Sequence, residues 1–188
     1  MTNNDVITAI EMALEKMDRR FCTLSKKDYS QIDEVVREHA RKEKYLERPI
    51  AYEFYHQIRR LLDDGTVDFG GPIIQAEVDK TYQHCFEKGK IPDFIIHVKN
   101  AGQNLAVIEF KLATNLGKIK KDLEKLVEFK KNEQLKYAFG IEVILGNANS
   151  LTTAKKIINR LSISDGEEIT LIDFNTDSWK ANRSLLRA

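Results

Sequence analysis

Three consecutive segments narrow the folds open to this chain more than any other feature: LAVIEFKLA (105–113), LGKIKKDLEKLVEFKKNEQL (116–135) and YAFGIEVILGN (137–147). The outer two have the length and apolar character of strands, whereas the middle one places Ile119, Leu123, Leu126 and Val127 on one face of a helix. A helix of that length between two strands is what a parallel crossover needs, and such crossovers lay the helix over one face of the sheet. The strand at 137–147 is apolar on both faces, which predicts an interior position.

The flanking segments extend this unit. Upstream, DVITAIEMALEKMDRRF spaces Val6, Ile10, Ala13 and Met17 as a helix. SQIDEVVREHARKEKYLE reads as a solvated helix capped by Ser30. RPIAYEFYHQIRRLLDDG follows, with Pro49 in a first turn, a stripe of Ile50, Phe54, Ile58, Leu61 and Leu62, and a stop at 63–65. GGPIIQAEVDKTYQ then predicts a turn and a strand. PDFIIHVKN and LAVIEFKLA predict a hairpin closed by the AGQN turn at 101–104. Downstream come SLTTAKKIINRLSI, a helix with Ser150 as its expected cap, and EEITLIDFN, a last strand; the tail from Thr176 carries no clear pattern. The expectation is one α/β domain, with a mixed central sheet of about five strands flanked by helices. Its parts are N-terminal helices (1–46), a core (47–146), and a C-terminal helix and strand (147–188).

At 188 residues the chain can bury a sizeable core, and 42% hydrophobic with 31% charged residues suits a globular protein. The net charge of +1 neither demands nor excludes a polyanionic partner, so only local charge is informative. Cys22 and Cys85 are too few and too far apart for a disulfide framework or a structural zinc site. No signal-like start and no membrane-length apolar run is present, so a cytoplasmic location without membrane contact is expected.

Charge inside the most strand-like region is the feature that needs explaining. Strand alternation sends Ala106, Ile108, Phe110 and Leu112 one way, and Val107, Glu109 and Lys111 the other. Asp93 heads the preceding strand, so ordinary hairpin pairing brings it near Glu109 and Lys111. One buried charge alone costs several kcal/mol or more, and two neighbouring carboxylates raise each other's pKa. A divalent cation relieves both costs, and magnesium prefers such oxygen ligands, completed by water and phosphate.

Pro92-Asp93 followed by Glu109-Phe110-Lys111 resembles the PD-(D/E)XK nuclease superfamily, the restriction-endonuclease-like fold. The resemblance spans roughly 48–146, with the motif split across the hairpin. It implies that Asp93 and Glu109 bind a magnesium ion, that the backbone carbonyl of Phe110 is a further ligand, and that Lys111 assists catalysis. Many members carry a glutamate on the helix before the sheet, a position that Glu53 matches here. The implied function is metal-dependent hydrolysis of phosphodiester bonds in nucleic acid, DNA first, and members often act as homodimers. The alternative is a module that keeps the fold, does no chemistry, and binds nucleic acid or a protein partner.

Other residues carry weaker signals. Glu77 and Asp79 are possible extra ligands but suit a surface role, and His97 suits packing or a hydrogen bond. His84 and Cys85, adjacent in sequence, are a poor ligand pair. Tyr52 and Tyr55 are expected to pack rather than stack on bases. Between Lys111 and Lys136 eight lysines face four acids, and Lys118, Lys121, Lys125 and Lys130 could follow a phosphate backbone, or simply solvate a helix.

Overall fold

The computed structural model describes residues 3–24, 44–78, 90–99, 103–161 and 166–187. Most of the helix expected from Ser30 lies outside the described residues, as do Asp79, His84, Cys85, Ala101 and Gly102. Lys44 and Tyr45, expected at the end of that helix, are instead a short strand, and Gln103 and Asn104, expected in the AGQN turn, open a longer one.

The chain begins with α1 (Asn3–Lys16) and the single turn α2 (Arg19–Cys22), so the segment expected as one helix is broken at Met17-Asp18. Asp18 makes the break: its side chain accepts from the Arg20 amide at 3.0 Å and starts α2 afresh. β1 (Thr23–Leu24) and β2 (Lys44–Tyr45) pair as a two-residue antiparallel ribbon before α3 (Glu47–Asp63). The main sheet then follows: β3 (Ile73–Ala76), β4 (Phe94–Val98), β5 (Gln103–Leu112), β6 (Phe139–Gly146), β7 (Glu168–Asn175) and β8 (Lys180–Arg187). Helix α4 (Leu116–Lys131) joins β5 to β6, and α5 (Ala148–Ile158) joins β6 to β7.

The six strands lie in chain order. β3, β4 and β5 are antiparallel neighbours, β5, β6 and β7 are parallel, and β8 returns antiparallel on β7. The α/β class, the mixed sheet and the helices on both faces are thus as the sequence patterns predict. The sheet has a sixth strand because the unassigned tail folds back as β8. Asn175 turns it, its side chain accepting from the amides of Asp177 (2.8 Å) and Ser178 (3.2 Å). Trp179, at φ 60°, donates its indole N–H to the carbonyl of Met17 at 2.9 Å and ties the turn to the N-terminal helices.

Both crossovers advance in the same direction, so their helices share a face. On that face Ile119, Leu123, Leu126, Leu151 and Ala154 pack on Ile95, Val107, Ile144 and Ile169. On the other face α1 and α3 bring Val6, Ile10, Leu14, Ile50, Phe54 and Ile58 onto Phe94, Ile108, Phe110, Val143 and Phe174. Phe54 lies 5.3 Å from Phe94 and 4.9 Å from Phe110, centroid to centroid. Burying each such side chain contributes about 1.5–3 kcal/mol. The cap of α5 is Asn147 rather than Ser150. Its side chain accepts from the Ser150 amide at 2.8 Å, and Ser150 itself lies inside the first turn. No helix among the described residues is long and apolar enough to cross a membrane.

Candidate active site

Register places the charged residues. Phe94 pairs with Ile108, so Asp93, one residue earlier, comes level with Glu109 where the antiparallel pair ends. Period two turns Glu109 and Lys111 toward α4 while Phe110 buries its ring on the opposite face. Only the backbone of Phe110 can therefore face the acids, and its amide donates to Asp93 Oδ2 at 2.7 Å. The structure thus brings Asp93, Glu109 and Lys111 together, with the Phe110 backbone between them.

Lys111 is gripped from two helices. Its ammonium lies 2.9 Å from Glu47 Oε1 at the start of α3 and 3.2 Å from Asp122 Oδ2 on α4. Glu47 sits in the first turn of α3, where the helix dipole favours a carboxylate, and its other oxygen accepts from the Leu112 amide at 3.4 Å. Burial works to lower the pKa of Lys111, but Glu47 and Asp122 outweigh it and hold the pKa above the ordinary lysine value.

The acids around it carry the opposite strain. Glu109 is 2% exposed, and burial, with Asp93 adding to it and Lys125 opposing, pushes its pKa up to about 8. Burial also raises Asp93, against the pull of the Phe110 amide, Lys111 and Lys125. Glu142, level with Glu109 on the next strand, is fully buried; burial and the nearby Asp122 and Glu109 push its pKa well above the carboxylate range. Among the described residues neither oxygen of Glu142 has a hydrogen-bond partner, and Glu109 Oε1 and Asp122 Oδ2 are met by the ammonium groups of Lys125 and Lys111. Lys125, from α4, stands 2.7 Å from Glu109 Oε1 and donates to the carbonyl of Ile91 at 3.0 Å.

Glu53 is placed elsewhere. It is buried against α2, accepting from the Asp18 amide at 3.1 Å and from Gln57 Nε2 at 2.7 Å, and it bridges the break between α1 and α2. The helix acid that reaches Lys111 is Glu47, six residues earlier. The two lie on different sides of α3 because six residues at 100° each amount to 600°, or 240° around the helix. His97 bonds Gln75 across β3 and β4 at 2.6 Å and takes no part in the cluster. Tyr55 packs on Phe94, with centroids 5.8 Å apart, but Tyr52 does not pack as expected: it is 55% exposed. With Arg48, Glu47, Glu77 and Asp93 it lines a narrow cleft beside the cluster. Of the four lysines expected to track a phosphate backbone, Lys118 and Lys121 are exposed, whereas Lys125 serves Glu109 and Lys130 pairs with Glu167 at 2.9 Å.

Sequence reasoning missed Glu47, Asp122 and Glu142, and gave Lys125 a phosphate role where the structure pairs it with Glu109. Glu142 had a signal: it is the one acid in a strand otherwise apolar on both faces.

The donor set fits a hard divalent cation. Asp93 and Glu109 stand level, and burial raises the pKa of both, a cost to their ionised forms that a cation bound between them would relieve. Two carboxylates suffice for magnesium, which keeps several waters. Among the described residues no group of three or more carboxylate, imidazole or thiol side chains is arranged to hold a metal ion. No family model, no curated protein and no solved structure matches this chain.

Proposed function

We propose that this protein is a magnesium-dependent nuclease of the PD-(D/E)XK kind, cutting phosphodiester bonds in nucleic acid, with DNA as the first substrate to test. The observation that carries the reading is the convergence, at the ends of β4 and β5, of two strained carboxylates and one ammonium held between acids on two helices.

Asp93, Glu109 and the backbone carbonyl of Phe110 would hold the ion. A bound cation supplies Lewis-acid polarisation of the phosphate and a more acidic water. Lys111 remains an ammonium because Glu47 and Asp122 keep its pKa high. It therefore serves as a donor that steadies the attacking water and offsets charge building on the phosphate, not as a proton acceptor. Glu47 and Asp122 position Lys111. Exposed Arg48, Lys118 and Lys121 are available to phosphates flanking the scissile one.

Incubation of supercoiled, linear, single-stranded and branched DNA with magnesium tests this. Asp93→Ala and Lys111→Ala are each expected to lower cleavage by about two orders of magnitude or more while the fold is retained. Cleavage by both variants at the parent rate would remove the assignment.

One observation favours the second reading, a nuclease-fold module that binds nucleic acid without cutting: Lys125 already serves as counter-charge to Glu109. In that case DNA binding is salt-dependent, and calorimetry shows no magnesium or manganese uptake.

A further inference from the structure

Lys111 and Lys125 both stand in the acidic cluster, and they are not equivalent. Lys111 is committed to Glu47 and Asp122. Lys125 is committed to Glu109, one of the two residues read above as metal ligands, at 2.7 Å from its Oε1, and is near enough for its charge to act on Asp93. Its hydrogen bond to the carbonyl of Ile91, at 3.0 Å, fastens the segment that leads into Asp93 to the helix that covers Glu109. Lys125 therefore places a positive charge on Glu109, beside Asp93, where a divalent cation would place its own.

The contact has the character of an exchangeable one. The ammonium meets Glu109 Oε1 at 2.7 Å, the same oxygen that a divalent ion would need, so the two cannot occupy it together. The Lys125 side chain is 21% exposed, at the margin of the cluster, and its flexible four-carbon stem can carry the ammonium to water without moving α4. Glu109, 2% exposed on the longest strand of the sheet, cannot leave.

We propose that Lys125 is a built-in competitor for the cation: its ammonium holds Glu109 and the Asp93 segment together in the metal-free protein and is displaced when a divalent ion binds. The proposal rests on Asp93 and Glu109 being the ligands. It has a consequence that a purely structural lysine lacks, namely that loss of its charge improves metal binding.

Manganese binding to the 188-residue chain, read by calorimetry at pH 8.5 and low ionic strength, tests it without any turnover. Lys125→Gln keeps a donor for the Ile91 carbonyl and removes the charge, while Lys125→Met removes both. Each is expected to bind manganese about fivefold tighter or more, and Lys125→Arg about as the parent does. Thermal unfolding with and without manganese guards against a folding defect, since both neutral variants should gain more stability from the ion than the parent gains. Unchanged or weaker binding by folded Lys125→Gln overturns the proposal while leaving the metal reading intact. Asp93→Asn separates the two failures: if it binds manganese like the parent, the ligand assignment falls and the competitor falls with it. Absence of binding in parent and variants alike overturns both.

Discussion

The two faces of the sheet are built from the same strands and are chemically unlike. From β5, Ala106, Ile108 and Phe110 enter a layer closed by α1 and α3 that is apolar and aromatic. From the same strand, Val107 enters the layer under α4 and α5, but Glu109 and Lys111 follow it, joined by Glu142 from β6 and by Asp173 from β7, itself 2.6 Å from Lys155. The strand side chains of the first face are almost all apolar. The second gives up apolar contact for charge, and burial raises the pKa of Asp93, Glu109, Glu142 and Asp173 alike. Buried charges gathered beside a cleft, at a cost to stability, are the feature on which the proposed site rests.

The largest effect expected from this contrast is on the apolar face. Phe54→Ala should lower unfolding stability by about 3–5 kcal/mol, because it removes the ring wedged between Phe94 and Phe110. Denaturant melts measure this, and a loss under about 1 kcal/mol would mean that the face is not packed as described.

The charged face should instead reveal itself through pH. Glu109 keeps its proton up to about pH 8 in the folded protein, against 4.5 for the ordinary side chain. Between those values the folded state binds more protons than the unfolded one, so stability falls as pH rises through the window and levels off above it. The slope from one such group approaches about 1.4 kcal/mol per pH unit. Glu109→Gln should flatten it, and an unaltered slope in that variant would place the strain on another group.

The smallest effect separates two acids on one helix. Glu53→Ala should cost about 1–3 kcal/mol of stability by freeing the Asp18 amide and the Gln57 side chain, with cleavage unchanged. Glu47→Ala, which releases Lys111, should lower cleavage about tenfold and change stability less. A reversal of the two phenotypes would return Glu53 to the site.

Much of this was legible beforehand. The crossover helix, the interior strand and the hairpin all announced themselves through periodicity, a local property of a strand or helix that must bury one face. Asp93, Glu109 and Lys111 could be brought together on paper because hairpin register follows from strand spacing. Other features escaped. The tail beyond Thr176 has the exposed, polar pattern of an edge strand, which resembles a loop. Glu142 was hidden inside an apolar run. Between Glu53 and Glu47, helical geometry alone placed the former at the rim of the buried stripe, but could not say against which neighbour that rim would lie.

The sequence by itself determined the class of fold, the strand that carries the charges and the face they share, because each depends on the period of side chains along one or two adjoining elements. Only the tertiary structure decided which helix acid reaches Lys111, that Lys125 meets Glu109, and that Glu142 is buried with no hydrogen-bond partner among the described residues. Those facts depend on how α3 and α4 sit over the ends of the strands. Such docking is set by the packing of side chains distant in the chain, and no local pattern records it.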